Sequence, residues 1–207
     1  MSEQQGKVDL SRFNAAEFDI GASWFKYGMW QLCSILFFMS PFNPSSKLKA
    51  SLLRLFGAKV GVGLVMNKPH VNIKFPWRLT IGNHVWIGEN TWILNIDNVV
   101  IGDSVNIAQG AMLLTGNHNY KSVEFETITG PITLEDGVFI GAQSVVCPGV
   151  TCKSHSILSV GSVATHDLEA YKIYMGVPAI YKKDREVMER DEYEQQKQSA
   201  TSTPVAQ

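Results

Sequence analysis

Residues 79–114 read LTIGNHVWIGENTWILNIDNVVIGDSVNIAQGAMLL, and an aliphatic anchor returns at a step of six within them: Ile81, Ile87 and Ile93, then Ile101, Ile107 and Leu113. The step resumes downstream at Leu134, Ile140, Val146, Cys152 and Leu158. Independent strands need no common period, so the pattern predicts a chain that coils and repeats its own backbone, with one short wall per hexad. Three parallel walls close one turn in 18 residues, the step from Ile81 to Val99 and again from Leu134 to Cys152. The anchors then stack inside a triangular prism, and the residues between them face solvent or another subunit.

Two interruptions break the rhythm. Leu94–Val100 adds two residues and predicts a bulge in one wall, whereas Gly116–Pro131 leaves the coil and returns at Ile132. A long excursion from an otherwise economical repeat is a natural place for function. Upstream, residues 1–22 read as an arm laid over the body and Trp24–Met39 as one helix. Lys47–Phe56 reads as a second helix, capped by Ser46 and stopped by Gly57, with Leu48, Leu52, Leu55 and Phe56 as its apolar face beside Lys49 and Arg54. Downstream, 164–183 departs from the repeat, DREVMERDEYEQQKQ (184–198) reads as a terminal helix, and SATSTPVAQ as a disordered tail. The expected class is all-β: a parallel β-helix of hexapeptide repeats with an N-terminal helical segment and a short C-terminal helix. The expected divisions are an arm and apolar helical region at 1–59, the coil at 60–163 with its loop at 116–131, and an extension at 164–207.

The 207 residues suffice for one substantial domain, and 18 Lys and Arg against 19 Asp and Glu give a net charge of -1, with no general electrostatic basis for binding nucleic acid. The first residues lack the charged and apolar regions of a secretory signal, so the cytoplasm is the expected compartment. Residues 24–42 are apolar and aromatic but too broken and short to span a bilayer. They fit a helix buried at the base of the coil, a subunit contact, or peripheral membrane contact. Cys33, Cys147 and Cys152 lack metal-ligand spacing and read as packing residues. His70, His84, His155 and His166 have structural or surface explanations, His155 facing outward, and no metal site is expected.

IGNHVWIGEN (81–90), IGDSVNIAQGAMLLTGNHNY (101–120), PITLEDGVFIGAQSVVCPGVTC (131–152) and GVPA (176–179) together resemble the left-handed β-helix, hexapeptide-repeat acyltransferases, in particular the sugar O-acetyltransferases of colanic acid and exopolysaccharide biosynthesis. The resemblance covers about Leu52 to Lys183. It implies a homotrimer, acetyl-CoA as the donor in a cleft between adjacent prisms, and a sugar or glycan hydroxyl entering beside the loop. His118 matches the catalytic histidine. A sugar hydroxyl is a poor nucleophile at neutral pH, and an imidazole can take its proton during attack on the thioester without an acyl-enzyme.

Further candidate roles come partly from position in the chain and partly from the resemblance. Asn95, in the LNID bulge, either binds an acceptor hydroxyl or the thioester surroundings, or supports the bulge by hydrogen bonding to backbone. Glu124 and Glu126 either orient His118 and contact sugar or are solvated loop residues. Ala142 and Ser162 match positions that present a small residue or backbone groups to the pantetheine arm, with corner packing as their alternative. Phe139 stands where tryptophan is frequent in the family, keeping an aromatic wall without an indole N–H. Lys183, just beyond GVPA, is placed to pair with a coenzyme phosphate. Cys152 and Lys153 replace the usual Ile-Gly of one hexad, with Cys152 filling the inward position. Competing readings are an N-acetyltransferase acting on an amino sugar, a metal-dependent carbonic anhydrase-like enzyme with histidines shared across a trimer, and a noncatalytic scaffold.

Overall fold

The anchors turn inward at the expected step. All of them, from Ile81 to Leu158 and including Cys152, are buried in the computed structural model, which describes residues 6–13, 19–41, 45–66 and 68–201. Burying each aliphatic side chain contributes roughly 1.5–3 kcal/mol. The result is a left-handed β-helix with three walls. The first stacks Lys59–Val60, Leu79–Ile81, Val99–Ile101, Ile132–Leu134 and Thr151–Cys152; the second stacks Trp86–Ile87, Asn106–Ile107, Phe139–Ile140 and Ile157–Leu158; the third stacks Asn72–Ile73, Trp92–Leu94, Met112–Leu114, Val145–Val146 and Val163–Ala164.

Parallel pairing stands equivalent anchors above one another. Ile81, Ile101, Leu134 and Cys152 form one column, and Ile87, Ile107, Ile140 and Leu158 the next. Burial, with a smaller contribution from Asp167, pushes the Cys152 thiol up to about 12, so this cysteine is an inert apolar filler. One corner of the prism carries a side-chain ladder: Val62 N–H donates to Asn83 Oδ1 (3.0 Å), Asn83 N–H to Asp103 Oδ1 (2.7 Å), and Asp103 N–H to Asp136 Oδ1 (2.7 Å). A Cβ at Gly82 would lie 2.7 Å from the backbone of Gly102, so only glycine lets these coils close up.

The coil continues past residue 163. Leu168 bridges to Cys152, and Lys172–Met175 pairs in parallel with Ile157–Leu158 before Ile180–Asp184 turns back against it. The terminal helix α3, Arg190–Thr201, begins later than the charge pattern suggested. Asp184 is held in the last strand, and Arg185 donates to the carbonyls of Gly137 and His155 (2.8 and 3.0 Å). The first residues of the expected tail are helical, and 202–207 lie outside the described residues. His155 stacks on Tyr171 with ring centroids 4.7 Å apart and is half-buried, where an outward position was expected.

At the other end, α1 (Trp24–Ser34) is capped by Ser23 and runs into a π-helical turn, Ile35–Met39. Trp30 anchors it by donating from Nε1 to the Ile73 carbonyl (2.9 Å), packed edge-on against Phe38 and Phe56. α2 (Ser46–Leu55) departs from expectation in two respects. Its cap is Ser45, whose Oγ accepts from Leu48 N–H, while Ser46 Oγ accepts from Met66 N–H (2.8 Å). Its buried face is Lys49, Ala50 and Leu53, whereas Leu48 and Leu55 are exposed. The physical reason is Lys49, whose Nζ donates to the carbonyls of Met66 and Lys68 (3.0 Å each) at the mouth of the coil and rotates that face inward. Burial holds its ammonium below the usual 10.5. No described helix is long and apolar enough to cross a membrane. Phe42, at the end of the apolar stretch, and Pro44 lie outside the described residues.

Candidate active site

The excursion after the third wall is a hairpin in which Gly116–His118 pairs antiparallel with Thr127–Thr129, His118 opposite Thr127. Thr115 ties its root to the bulge upstream: its Oγ1 donates to the Leu94 carbonyl (2.8 Å) and accepts from Asp97 N–H (2.9 Å). Gly130 N–H closes the neck on the Thr115 carbonyl (2.9 Å). Both interruptions of the repeat therefore meet at one corner, between the third and first walls.

His118 is half-buried on this hairpin, its ring stacked on Phe125 at 4.7 Å and 10°. Nδ1 lies 2.9 Å from the Phe125 carbonyl oxygen. A carbonyl only accepts, so Nδ1 carries a proton, and in the neutral ring the lone pair then stands on Nε2, the tautomer a general base requires. Phe125 can present its carbonyl here because its backbone is left-handed (φ 53°). The flanking carboxylates serve other partners. Glu124 pairs with Arg12 of the N-terminal arm (2.6 Å), and Glu126 accepts from Asn119 Nδ2 (2.6 Å). Hydrogen bonds, first from Ser122 and then from Asn119, hold the Glu126 carboxyl below its usual value.

The arm packs onto the hairpin, as its polar sequence suggested for the described part. Asp9 N–H donates to the Val123 carbonyl (2.9 Å), and Phe13 sets its ring edge-on to His118 at 5.7 Å. Residues 1–5 and 14–18 lie outside the described residues. Trp77 and Arg78 donate to the carbonyls of Ile20 (2.7 Å) and Asp19 (2.6 Å), tying the arm's return to the coil. Between arm, α1 and hairpin lies a cavity of about 680 Å³, with His118 and Asn117 on one side and Trp24, Tyr27, Lys74 and Phe75 on the other. Lys74 Nζ donates to the Tyr27 hydroxyl (3.3 Å), which brings a cation into an otherwise largely aromatic lining.

The other expected site residues are dispersed. Asn95 is buried; Phe75 N–H donates to its Oδ1 (2.9 Å) and its Nδ2 donates to the Phe75 carbonyl (2.5 Å). Both ends of the amide are thus engaged by backbone, the bracing geometry, while Phe75 and the flanking Leu94 and Ile96 line the cavity. Ala142 is half-buried at the corner between the second and third walls, where its carbonyl accepts from Gly161 N–H (2.9 Å). A Cβ at Gly161 would meet no atom within 4 Å, so this corner is open to solvent. Ser162 is buried, and its Oγ accepts from Gly176 N–H (3.0 Å) at the start of GVPA, a packing geometry. Phe139 is half-buried on the second wall, in a groove of about 410 Å³ shared with Trp86, Asn106 and Gln109. Lys183 is exposed in the last strand, opposite Ile173. Within one prism the His118 corner and the Ala142 corner are separated by the full third wall. Among the described residues no group of three or more His, Cys, Asp and Glu is placed to hold a metal.

Phe125 and Phe13 were not anticipated as parts of the site. A backbone carbonyl has no side-chain signature, and an aromatic residue in a polar arm points nowhere until the arm is folded. The one available signal was the apolar Phe125 between two glutamates in a loop.

No protein-family model matches the chain. WcaF of Escherichia coli (strain K12), assigned as a colanic acid biosynthesis acetyltransferase, is 30% identical over 177 residues, covering 86% of this chain and 97% of that protein. The galactoside O-acetyltransferase of the same organism is 31% identical over 148 residues, 70% of this chain and 71% of that one. A solved hexapeptide-repeat-containing acetyltransferase of Vibrio cholerae, in complex with acetyl coenzyme A, superposes with a TM-score of 0.71 at 25% identity, covering 90% of this chain and all of that one.

Proposed function

This chain belongs to the hexapeptide-repeat acetyltransferase family, close to the sugar O-acetyltransferases of colanic acid and exopolysaccharide biosynthesis, and from that premise we propose that it acetylates a sugar hydroxyl with His118 as general base. Acetyl-CoA is the donor substrate. The observation that carries the base assignment is the hydrogen bond from Nδ1 of His118 to the Phe125 carbonyl. It fixes the neutral tautomer and ring plane, while the cavity beside it has room for a sugar. As the acceptor oxygen bonds to the acetyl carbonyl carbon, its proton passes to Nε2. Collapse of the tetrahedral oxyanion breaks the C–S bond, and the imidazolium returns the proton to the departing thiolate. Lys74 and Asn117 offer hydrogen bonds to other acceptor hydroxyls.

The working unit in this reading is a homotrimer. Trp86 on the second wall and Trp92 on the third are exposed in the single prism, as an interface between prisms requires. The His118 corner and the Ala142 corner are too far apart around one prism to share a donor, and packing three prisms side by side offers a cleft in which one copy supplies each. Phe139 and the backbone around Ala142 would line the donor side, with Lys183 toward the phosphates. Asn95 serves as a positioning residue through Phe75.

Thiol release from acetyl-CoA across a panel of neutral and amino sugars tests this reading. The expected product is an ester that mild alkali cleaves. An alkali-stable amide would reassign the acceptor to an amine, and a folded protein that binds acetyl-CoA yet acetylates no sugar would overturn the proposal.

A further inference from the structure

α1 buries Trp30, Cys33 and Ser34 against the coil, but its opposite face is not polar. Phe25 (79% exposed), Met29, Leu32 (52%) and Leu36 recur at helical spacing along that face, with Trp24 (75%) and Ile35 beside them. α2 adds Leu48 and Leu55 (76%), seven residues apart, next to a stripe of Lys47 and Arg54 at the same spacing. Each helix therefore exposes an apolar face, and that of α2 is edged by cations. An exposed apolar face of this kind marks an interaction site.

The charge distribution identifies the occupant. The chain as a whole has a net charge of -1, yet from Ile20 to Gly88 every charged residue is Lys or Arg. Lys47, Lys59 and Lys68 are exposed around the helical base. A second copy of the same surface would set cations against cations, whereas an anionic bilayer complements both the charge and the apolar side chains. Helix length agrees: 11 α-helical and 5 π-helical residues cannot cross a bilayer but can lie in its plane. Trp24 and Tyr27, residues suited to the headgroup level, also line the His118 cavity.

We propose that α1 and α2 dock this protein onto an anionic lipid surface, with the cavity that holds His118 opening at the level of the headgroups. The docking rests on the helical face alone; its consequence for acceptor access rests on the sugar acetyltransferase reading.

Sedimentation with vesicles of phosphatidylcholine, with or without phosphatidylglycerol, tests the docking without any activity readout. The intact protein is expected to bind the anionic vesicles at least about tenfold more tightly than the neutral ones, and to release them as salt rises from about 0.1 to 0.5 M. Phe25→Asp with Leu32→Asp alters only exposed side chains and is expected to weaken vesicle binding by about a hundredfold while thermal stability and acetyl transfer to a water-soluble sugar hold. Lys47→Glu with Lys59→Glu is expected to weaken binding to anionic vesicles alone. Equal affinity for both vesicle types, no binding, or wild-type binding by the Phe25/Leu32 variant would overturn the proposal. So would light scattering that shows the intact protein assembling through this face into particles that the same variant dissociates. In the intact protein, absent vesicle binding with acetyl transfer present refutes the docking alone, and vesicle binding without acetyl transfer refutes the catalytic reading alone.

Discussion

Replacing Asn95 by alanine separates a brace from a catalytic group. In the folded protein its amide closes a two-way hydrogen-bonded pair with the backbone of Phe75, at 2.9 and 2.5 Å, in a fully buried setting. Depriving two buried backbone groups of these bonds costs about 1–3 kcal/mol each, hence about 2–6 kcal/mol in all. For a chain of this size that lowers the melting temperature by roughly 5–15 °C. Asn95→Asp keeps the acceptor for Phe75 N–H but sets a carboxylate oxygen against the Phe75 carbonyl, and is expected to be no more stable than the alanine variant. Because Phe75 lines the cavity, kcat/KM falls as well, by about tenfold. The assays are a calorimetric melt at fixed protein concentration and steady-state acetyl transfer. A melting temperature within about 1 °C of the parent, with kcat reduced a hundredfold or more, would refute the bracing role and place Asn95 among the reacting groups.

Gly82→Ala would bring a Cβ to 2.7 Å from the Gly102 backbone, and the expected loss of about 1–3 kcal/mol can be read from chemical denaturation. Lys49→Ala removes the two hydrogen bonds to Met66 and Lys68 together with a buried stem, and is expected to cost about 2–5 kcal/mol and to loosen hydrogen-exchange protection first at the base of the coil. The Asp103 carboxyl is held below its usual 3.8, first by the backbone N–H of Asn83 and then by its side-chain amide. Its folded value lies below the unfolded one, so its stabilisation is complete above about pH 4 and is lost as pH falls through the folded value; Asp103→Ala should flatten that acid limb of the melting-temperature profile. Trp86→Glu is expected to reduce the trimer to monomers in light scattering.

The fold was legible because one physical requirement dominates the coil: each wall must bury one residue at a fixed step, and Ile81, Ile101, Leu134 and Cys152 stack as that step requires. Even cysteine kept the register, since the column needs volume and lack of charge rather than a particular side chain. The helical base was harder to read. Hydropathy alone assigned Leu48 and Leu55 to the buried face of α2, but the open end of the coil presents carbonyls of Met66 and Lys68 that only a donor can satisfy, and Lys49 took that position. Adjacent Ser45 and Ser46 are equivalent as caps until the chain shows which is also near Met66 N–H. The π-helical turn at Ile35–Met39 has no residue signature comparable to a proline or glycine. At the site, His118 stood out through its match to the family's histidine and its place at the edge of the excursion, but the group that orients it is a main-chain carbonyl, which belongs to the fold rather than to any side chain.

The central claim, that His118 takes the proton of the acceptor hydroxyl, is tested most directly by comparing His118→Ala with the parent in acetyl transfer while acetyl-CoA affinity is followed by calorimetry. The account predicts an unchanged melt, unchanged acetyl-CoA affinity and a kcat lowered by about 10²–10⁴. A folded His118→Ala protein that binds acetyl-CoA and transfers acetyl groups at the full rate would contradict it.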